Sequence, residues 1–397
     1  MSNDLALYQA KLEQAHTLLE TLGLDAWLLF VRETSMVSDP ALPLIAPFDL
    51  TWESALIVSR TNTRIAIVGR YDVQPIEATG LFTAVRGYDA AIGDQLRDTL
   101  RALDPQQIAI NYSTSEVAAD GLTHGMYLRL LELLDGTPYA ERLVSAHALA
   151  SSLRAQKTAQ EQARLVAATA SAEEIFKIVS QTIKVGVSER ELAALMHREA
   201  AARGLTTAWE SNSCPIVNTG PHSPIGHVTP TSLTVQPGHL VHIDFGVQRD
   251  GFCSDQQRMW YVLNEDETAP PAEVQQAWQV VRTAIERAFA FIKPGVQGWQ
   301  VDEVARNVFR EAGLPEYQHA VGHGVGRAVH DGGTLLGPRW DRYGQTPYGT
   351  VAPGMIFTLE CGVQTAYGFL GLEDEIIIED DGARWLAPPQ TELWLVR

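Results

Sequence analysis

Residues 239–262 read HLVHIDFGVQRDGFCSDQQRMWYV. Val241, Ile243, Phe245 and Val247 alternate with His242, Asp244 and Gly246, the period of two that a half-buried strand requires because successive side chains point to opposite faces. Asp250-Gly251 marks a hairpin turn, since both residues tolerate the positive φ that tight hairpins demand. If residues 248–251 form the loop, Asp244 pairs directly with Asp255; if two residues do, the pair occupies diagonal positions of one face, at most about 7–8 Å apart. Either way two carboxylates converge. Like charges that close raise each other's pKa unless a cation lies between them, and a bridging divalent metal resolves the conflict. Taken alone, the pair fits a solvated hairpin equally well, because acidic residues are mostly surface residues.

Three later stretches add to the pair. QHAVGHGVGRAVHD, residues 318–331, holds His319, His323 and His330 with Gly322, Gly324 and Gly326 between them. The glycines disfavour helix and suit an extended segment passing close to another backbone, in which His319 and His323 share a face. PGMIFTLECG, residues 353–362, is a strand whose Glu360 points away from the face of Met355, Phe357 and Leu359. FLGLEDEIIIED, residues 369–380, sets Glu373, Asp374 and Glu375 before the apolar run Ile376 to Ile378, so acids at the mouth of a buried strand must be paired or liganded. Hard oxygen donors with one imidazole suit two ions of the Mn²⁺, Co²⁺, Fe²⁺ or Zn²⁺ kind, not a thiolate zinc site.

The first part of the chain has a different texture. Residues 3–22 carry apolar positions near a 3.6 period, and a strand at 26–30, apolar runs at 54–59, 64–69 and 107–112 and a helical pattern at 92–103 make an alternating α/β unit. It contains no chemistry motif and ends near residue 150, where a helical stretch from 146 to 179 leads into Gly- and Pro-punctuated strands with helices at 272–292 and 299–312. Two domains are expected, 1–150 and 151–397. Thirty Lys+Arg against 48 Asp+Glu give a net charge of −18, a sign that argues against nucleic acid and anionic membrane as partners. Cys214, Cys253 and Cys361 are too few for a disulfide framework and form no CxxC pair. No secretory leader or membrane-spanning run is legible, so a cytoplasmic location is expected.

In this order, IDFG with DGFCSD, HAVGHGVGRAVHD, PGMIFTLECG and GLEDEIII resemble the pita-bread metallopeptidases, the family of methionine aminopeptidase, aminopeptidase P and prolidase, over about residues 150–390. The resemblance implies an α/β (α+β) fold in which a creatinase-like α/β domain, serving dimerisation and part of the substrate site, precedes a catalytic domain built on a curved, mainly antiparallel sheet. By position it makes Asp244, Asp255, His323, Glu360 and Glu373 the ligands of two divalent ions, with manganese first and cobalt, iron or zinc as alternatives. His227, His319 and His330 match histidines that hold substrate and its tetrahedral intermediate, and Glu360 is placed to carry a proton. The added N-terminal unit favours the prolidase and aminopeptidase P branch, hence a homodimer that hydrolyses the Xaa-Pro bond of dipeptides. Xaa-Pro aminopeptidase action on longer peptides is the alternative, and a non-peptidase amide hydrolase or a binding-only relative is third.

Three departures from the family pattern carry expectations of their own. Cys361 follows Glu360 where proline is common, which puts a thiol close to the metals; Gly371 stands where arginine is common; and residues 332–350 form a longer stretch bearing Arg339, Trp340, Arg342 and Tyr343. An arginine of that stretch is a candidate to fork onto a dipeptide carboxylate, with Arg327 and Arg32 as competitors and a solvated surface loop as the plain alternative.

Overall fold

A computed structural model describes residues 2–226 and 228–397. The chain divides into two compact units, residues 1–154 and 155–397. In the first, strands β1 (Ala26–Val31), β2 (Ser54–Ser59), β3 (Arg64–Gly69), β4 (Ala84–Tyr88), β5 (Ile108–Ile110) and β6 (Leu143–Ser145) form one sheet in the order β4-β3-β2-β1-β5-β6. The central β1 runs antiparallel to β2 and parallel to β5. All six of its residues are buried: Trp27, Leu29 and Val31 pack with Leu12, Leu19 and Leu153, while Leu28 and Phe30 pack with Leu96, Leu100 and Leu130. A strand covered on both faces reads as a continuous apolar run, which is what AWLLFV is.

The second unit carries β7 (Thr206–Thr207), β8 (Ile216–Thr219), β9 (Leu240–Phe245), β10 (Val247–Arg249), β11 (Phe252–Cys253), β12 (Gln256–Val262), β13 (Ile356–Thr365), β14 (Gly368–Ile378), β15 (Ala383–Trp385) and β16 (Trp394–Val396). The main sheet runs β13-β14-β12-β9-β8, with β15 on β14 and β16 on β12. Its pairings are antiparallel except that of β16 with β12. Helices Ala272–Phe291 and Gly298–Ala312 cover one side through Val281, Ile285 and Phe309 against Tyr261, Phe357 and Leu359. Helices Ala159–Ser180 and Glu189–Ala202 contribute Phe176 and Met196 to a second cluster with Val241, Ile243, Phe245 and Trp260. Each such side chain, fully buried, stabilises the fold by about 1.5–3 kcal/mol.

The single helical stretch expected from 146 to 179 is two helices, His147–Ala155 and Ala159–Ser180. Thr158 and Glu161 form a reciprocal capping box, which satisfies the free amides of a new helix start and so breaks the run. The amide of Lys157 donates to the Gly354 carbonyl at 2.8 Å. Helices His124–Leu134 and Glu189–Ala202 add to the elements legible from periodicity, and both start at a side-chain cap, Thr123 and Ser188.

Candidate metal centre

Strand register builds the site. Asp244 on β9 lies opposite Gln257 on β12, Gln257 lies opposite Glu373 on β14, and Glu373 lies opposite Glu360 on β13. Directly opposed residues share a face, so four polar side chains stand in one row across four strands. Gln248 pairs with Cys253 and Arg249 with Phe252, leaving Asp250-Gly251 as a two-residue turn with φ of 50° and 78°. Positive φ at both centres is the type I′ pattern, and it fixes the register that makes Asp255 diagonal to Asp244 instead of opposite it. The two carboxyl groups stand close enough for each to act on the other's charge. Gly246 permits this crossing, because a Cβ there would lie 1.9 Å from the Ser254 carbonyl oxygen.

The histidine segment lies along β13. The Glu360 amide donates to the Val321 carbonyl at 2.7 Å and the Thr358 amide to the His323 carbonyl at 3.0 Å. A Cβ on Gly322 would sit 2.0 Å from the Thr358 oxygen, which is why glycine occurs where this segment meets the strand. His323 Nε2 then stands 3.6 Å from Asp255 Oδ2, 3.7 Å from Glu373 Oε1 and 4.0 Å from Glu360 Oε1. One ligand atom each from Asp255, His323 and Glu373 lies within 4.8 Å of the others, a group able to hold a metal ion. His319 Nδ1 is 3.7 Å from Glu360 Oε2 and donates to the Ala320 carbonyl at 2.7 Å. The ring of His330 stands edge-on to that of His323, centroids 4.3 Å apart. His227 lies outside the described residues.

The electrostatics of this group are those of a site short of positive charge. Burial first, and then the nearby Glu360, pushes Asp244 up to about 8. Burial and the neighbouring carboxylates raise Asp255 and Glu373 well above the ordinary range, while burial and then His330 hold His323 down to about 4. Asp244 Oδ1 and Glu373 Oε1 are buried without a hydrogen-bond partner among the described residues. Burying a charge without a partner is costly, and a hard divalent cation supplies both the charge and the missing contacts. The donor set fits such an ion.

Residues that sequence reasoning passed over complete the surroundings. Gln257 donates to Glu373 Oε2 at 2.9 Å and to Glu360 Oε2 at 3.4 Å. Behind it, the two ring nitrogens of His242 lie 2.9 Å from Gln257 Oε1 and 3.0 Å from Asn218 Oδ1. The signal was present, since Gln257 stands two residues after Asp255 and therefore on its face. Gln257 and Phe369 also occupy the space beside Gly371, where a Cβ would meet them at 2.8 and 2.6 Å. The expected thiol beside the metals is corrected: Cys361 Sγ faces the other way, 3.6 Å from the Val281 carbonyl, because strand alternation sends it opposite to Glu360. Arg339 packs 4.3 Å over the Trp299 ring, and Arg342 donates to the Gln318 carbonyl.

A sequence model described as metallopeptidase family M24 matches residues 163–381, more than half of the chain. An Xaa-Pro dipeptidase of Lactobacillus helveticus is 30% identical over 249 residues, 62% of this chain and 63% of that protein. Among solved structures, an Xaa-Pro dipeptidase from Bacillus anthracis superposes with a TM-score of 0.74 at 23% identity, covering 98% of this chain and 100% of the other. An X-Pro aminopeptidase from Thermotoga maritima superposes with a TM-score of 0.71 at 24% identity, covering 95% and 99%. These two share the fold with this chain, a pita-bread sheet preceded by an α/β unit.

Proposed function

We propose that this chain, which belongs to metallopeptidase family M24, hydrolyses the Xaa-Pro bond of dipeptides with two divalent ions held by Asp244, Asp255, His323, Glu360 and Glu373. The observation that carries this is the group of converging buried acids around His323, with no lysine or arginine against them among the described residues. Mn²⁺ is the first choice of ion, since carboxylate-rich sites with one imidazole suit it. Divalent ions bound there supply the charge that activates water and polarises a carbonyl.

The chain's own groups do the rest. Glu360 retains 18% of its side-chain surface and is reached by both Gln257 and His319, so it is the carboxylate positioned to hold and pass on a proton. Because the Nδ1–H of His319 is committed to the Ala320 carbonyl, its Nε2 is the nitrogen left to face substrate. His330, exposed against the His323 ring, is the second candidate to stabilise a developing oxyanion. Gln257 hydrogen-bonds both Glu373 and Glu360 and so orients the two carboxylates. Xaa-Pro specificity, and with it the proline at the second substrate position, rests on the names of the relatives; the homodimer rests on the resemblance of the N-terminal α/β unit to that of the prolidase branch, and the cytoplasmic location on the few cysteines. No helix among the described residues is long and apolar enough to cross a membrane.

The likeness to an aminopeptidase structure at a similar TM-score supports a second reading, action on longer peptides. The deciding assay offers Mn²⁺-loaded protein Ala-Pro, Ala-Pro-Ala and creatine and follows products by chromatography. Cleavage of Ala-Pro alone is the expected result; cleavage of the tripeptide as well establishes the aminopeptidase reading. Inertness toward both peptides ends the Xaa-Pro assignment and leaves the fold.

A further inference from the structure

The backbone leading into His319 belongs to no helix or strand, so its carbonyls have no ladder to join and need donors from elsewhere. Three consecutive carbonyls find them in guanidinium groups. Arg306 on helix Gly298–Ala312 donates to Tyr317 O at 2.7 Å and to His319 O at 2.8 Å, and Arg342 donates to Gln318 O between them. Arg306 is itself locked: it makes a two-pronged pair with Asp302 at 2.7 and 2.9 Å, and Asp302 Oδ1 also accepts the Val321 amide at 3.1 Å. An aromatic stack ties the two arginines together. Arg306 lies 5.1 Å and Arg342 4.6 Å from the Trp340 ring, and Trp340 stacks on Tyr343 with centroids 5.9 Å apart at 10°.

We propose that Arg342, on the long stretch 332–350, is a positioning residue for His319: with Trp340 and Arg306 it fixes the 317–319 backbone and so aims the His319 ring at the Glu360 side of the site. The stretch whose arginines looked suited to a substrate carboxylate is then a brace on the chain's own backbone. This rests on the assignment of His319 as substrate-facing. Arg342 is exposed and, among the described residues, its head group meets the Gln318 carbonyl and the Tyr343 hydroxyl and makes no buried ion pair, so its removal leaves the core intact.

The test is a cycle of Arg342→Ala, His319→Ala and the double variant, assayed on Ala-Pro with Mn²⁺, alongside amide hydrogen exchange of the free protein. Misplacement of a reacting group by about 1 Å costs up to about a hundredfold, and loss of one of three braces is expected to lower kcat by about five- to twentyfold with KM within about twofold. In the His319→Ala background the same change is expected to do nothing further, because its route runs through the missing ring. Exchange is expected to quicken in peptides spanning 315–323 and nowhere else. Additive losses in the double variant, a raised KM with kcat intact, or full activity in Arg342→Ala each overturn the proposal. If the parent protein cleaves no Xaa-Pro peptide, the functional assignment fails by itself, and the exchange experiment alone decides whether the brace exists: unchanged protection at 315–323 refutes it.

Discussion

Glu373 and Asp374 are neighbours in sequence, equally buried at 2% exposure, and their surroundings are opposite. Asp374 meets Arg258 at 2.9 Å and Arg282 at 3.6 Å; burial raises it and these two cations lower it, leaving it at about 6. Glu373, turned to the other face of β14, meets Glu360, Asp244 and Asp255 and an amide from Gln257, and no lysine or arginine side chain among the described residues. Where a buried acid is structural, the fold supplies its counter-charge from within. Where the fold withholds one from several acids at once, the counter-charge comes from outside, and that is the physical case for a metal centre on one face only.

The comparison breaks most sharply at Asp255. Asp255→Ala removes a carboxylate from the centre of the group, and metal binding and Ala-Pro hydrolysis are both expected to fall by more than the tenfold to roughly hundredfold typical of outer partners. Metal content by mass spectrometry, with circular dichroism to verify folding, is the measurement; retention of full metal content would put the ion elsewhere. On the other face, Arg258→Met leaves Asp374 and Glu173 without their shared cation and is expected to cost about 3–5 kcal/mol of stability. Urea unfolding of metal-loaded protein reads this, and a cost below about 1 kcal/mol would erase the distinction between the faces.

Acidity separates the faces in another way. Asp244 goes from an ordinary 3.8 to about 8 in the metal-free fold, so between those values the folded chain binds more protons than the unfolded one. Stability from this group is therefore full below about pH 4 and is lost as pH rises toward 8. Metal-free protein is expected to melt lower at pH 8 than at pH 5, and Mn²⁺ to reverse the trend, since ions bind the deprotonated ligands and release protons. Identical melting curves at the two pH values, with and without Mn²⁺, would argue against uncompensated acids. The smallest effect is expected at Gln257. Gln257→Ala frees Glu360 and Glu373 to rotate and should weaken metal affinity or turnover by about tenfold to a hundredfold, with unfolding by urea little changed; isothermal titration with Mn²⁺ gives the number.

Much of this was legible beforehand for a local reason. Alternation along 239–262, the Asp250-Gly251 turn and the glycines between His319 and His330 are consequences of covalent geometry, and they place Asp244, Asp255, His323, Glu360 and Glu373 on strands and loops without knowledge of the fold. Gln257 was overlooked because an amide carries no charge to attract notice, though its spacing from Asp255 was plain. The break at Thr158 was hidden by a continuous helical period, and only the cap disclosed it.

The sequence by itself determined the donor types, the place of the turn between the two aspartates and the family. Only the tertiary structure decided that the turn has two residues and sets Asp255 diagonal to Asp244, that Asp374 meets Arg258 and Arg282, that Cys361 meets the Val281 carbonyl, and that Arg342 grips the Gln318 carbonyl. The physical reason is range. Which way a side chain alternates follows from its own strand, whereas what it meets depends on register with strands and loops up to a hundred or more residues away, and burial and charge act only once those are in place.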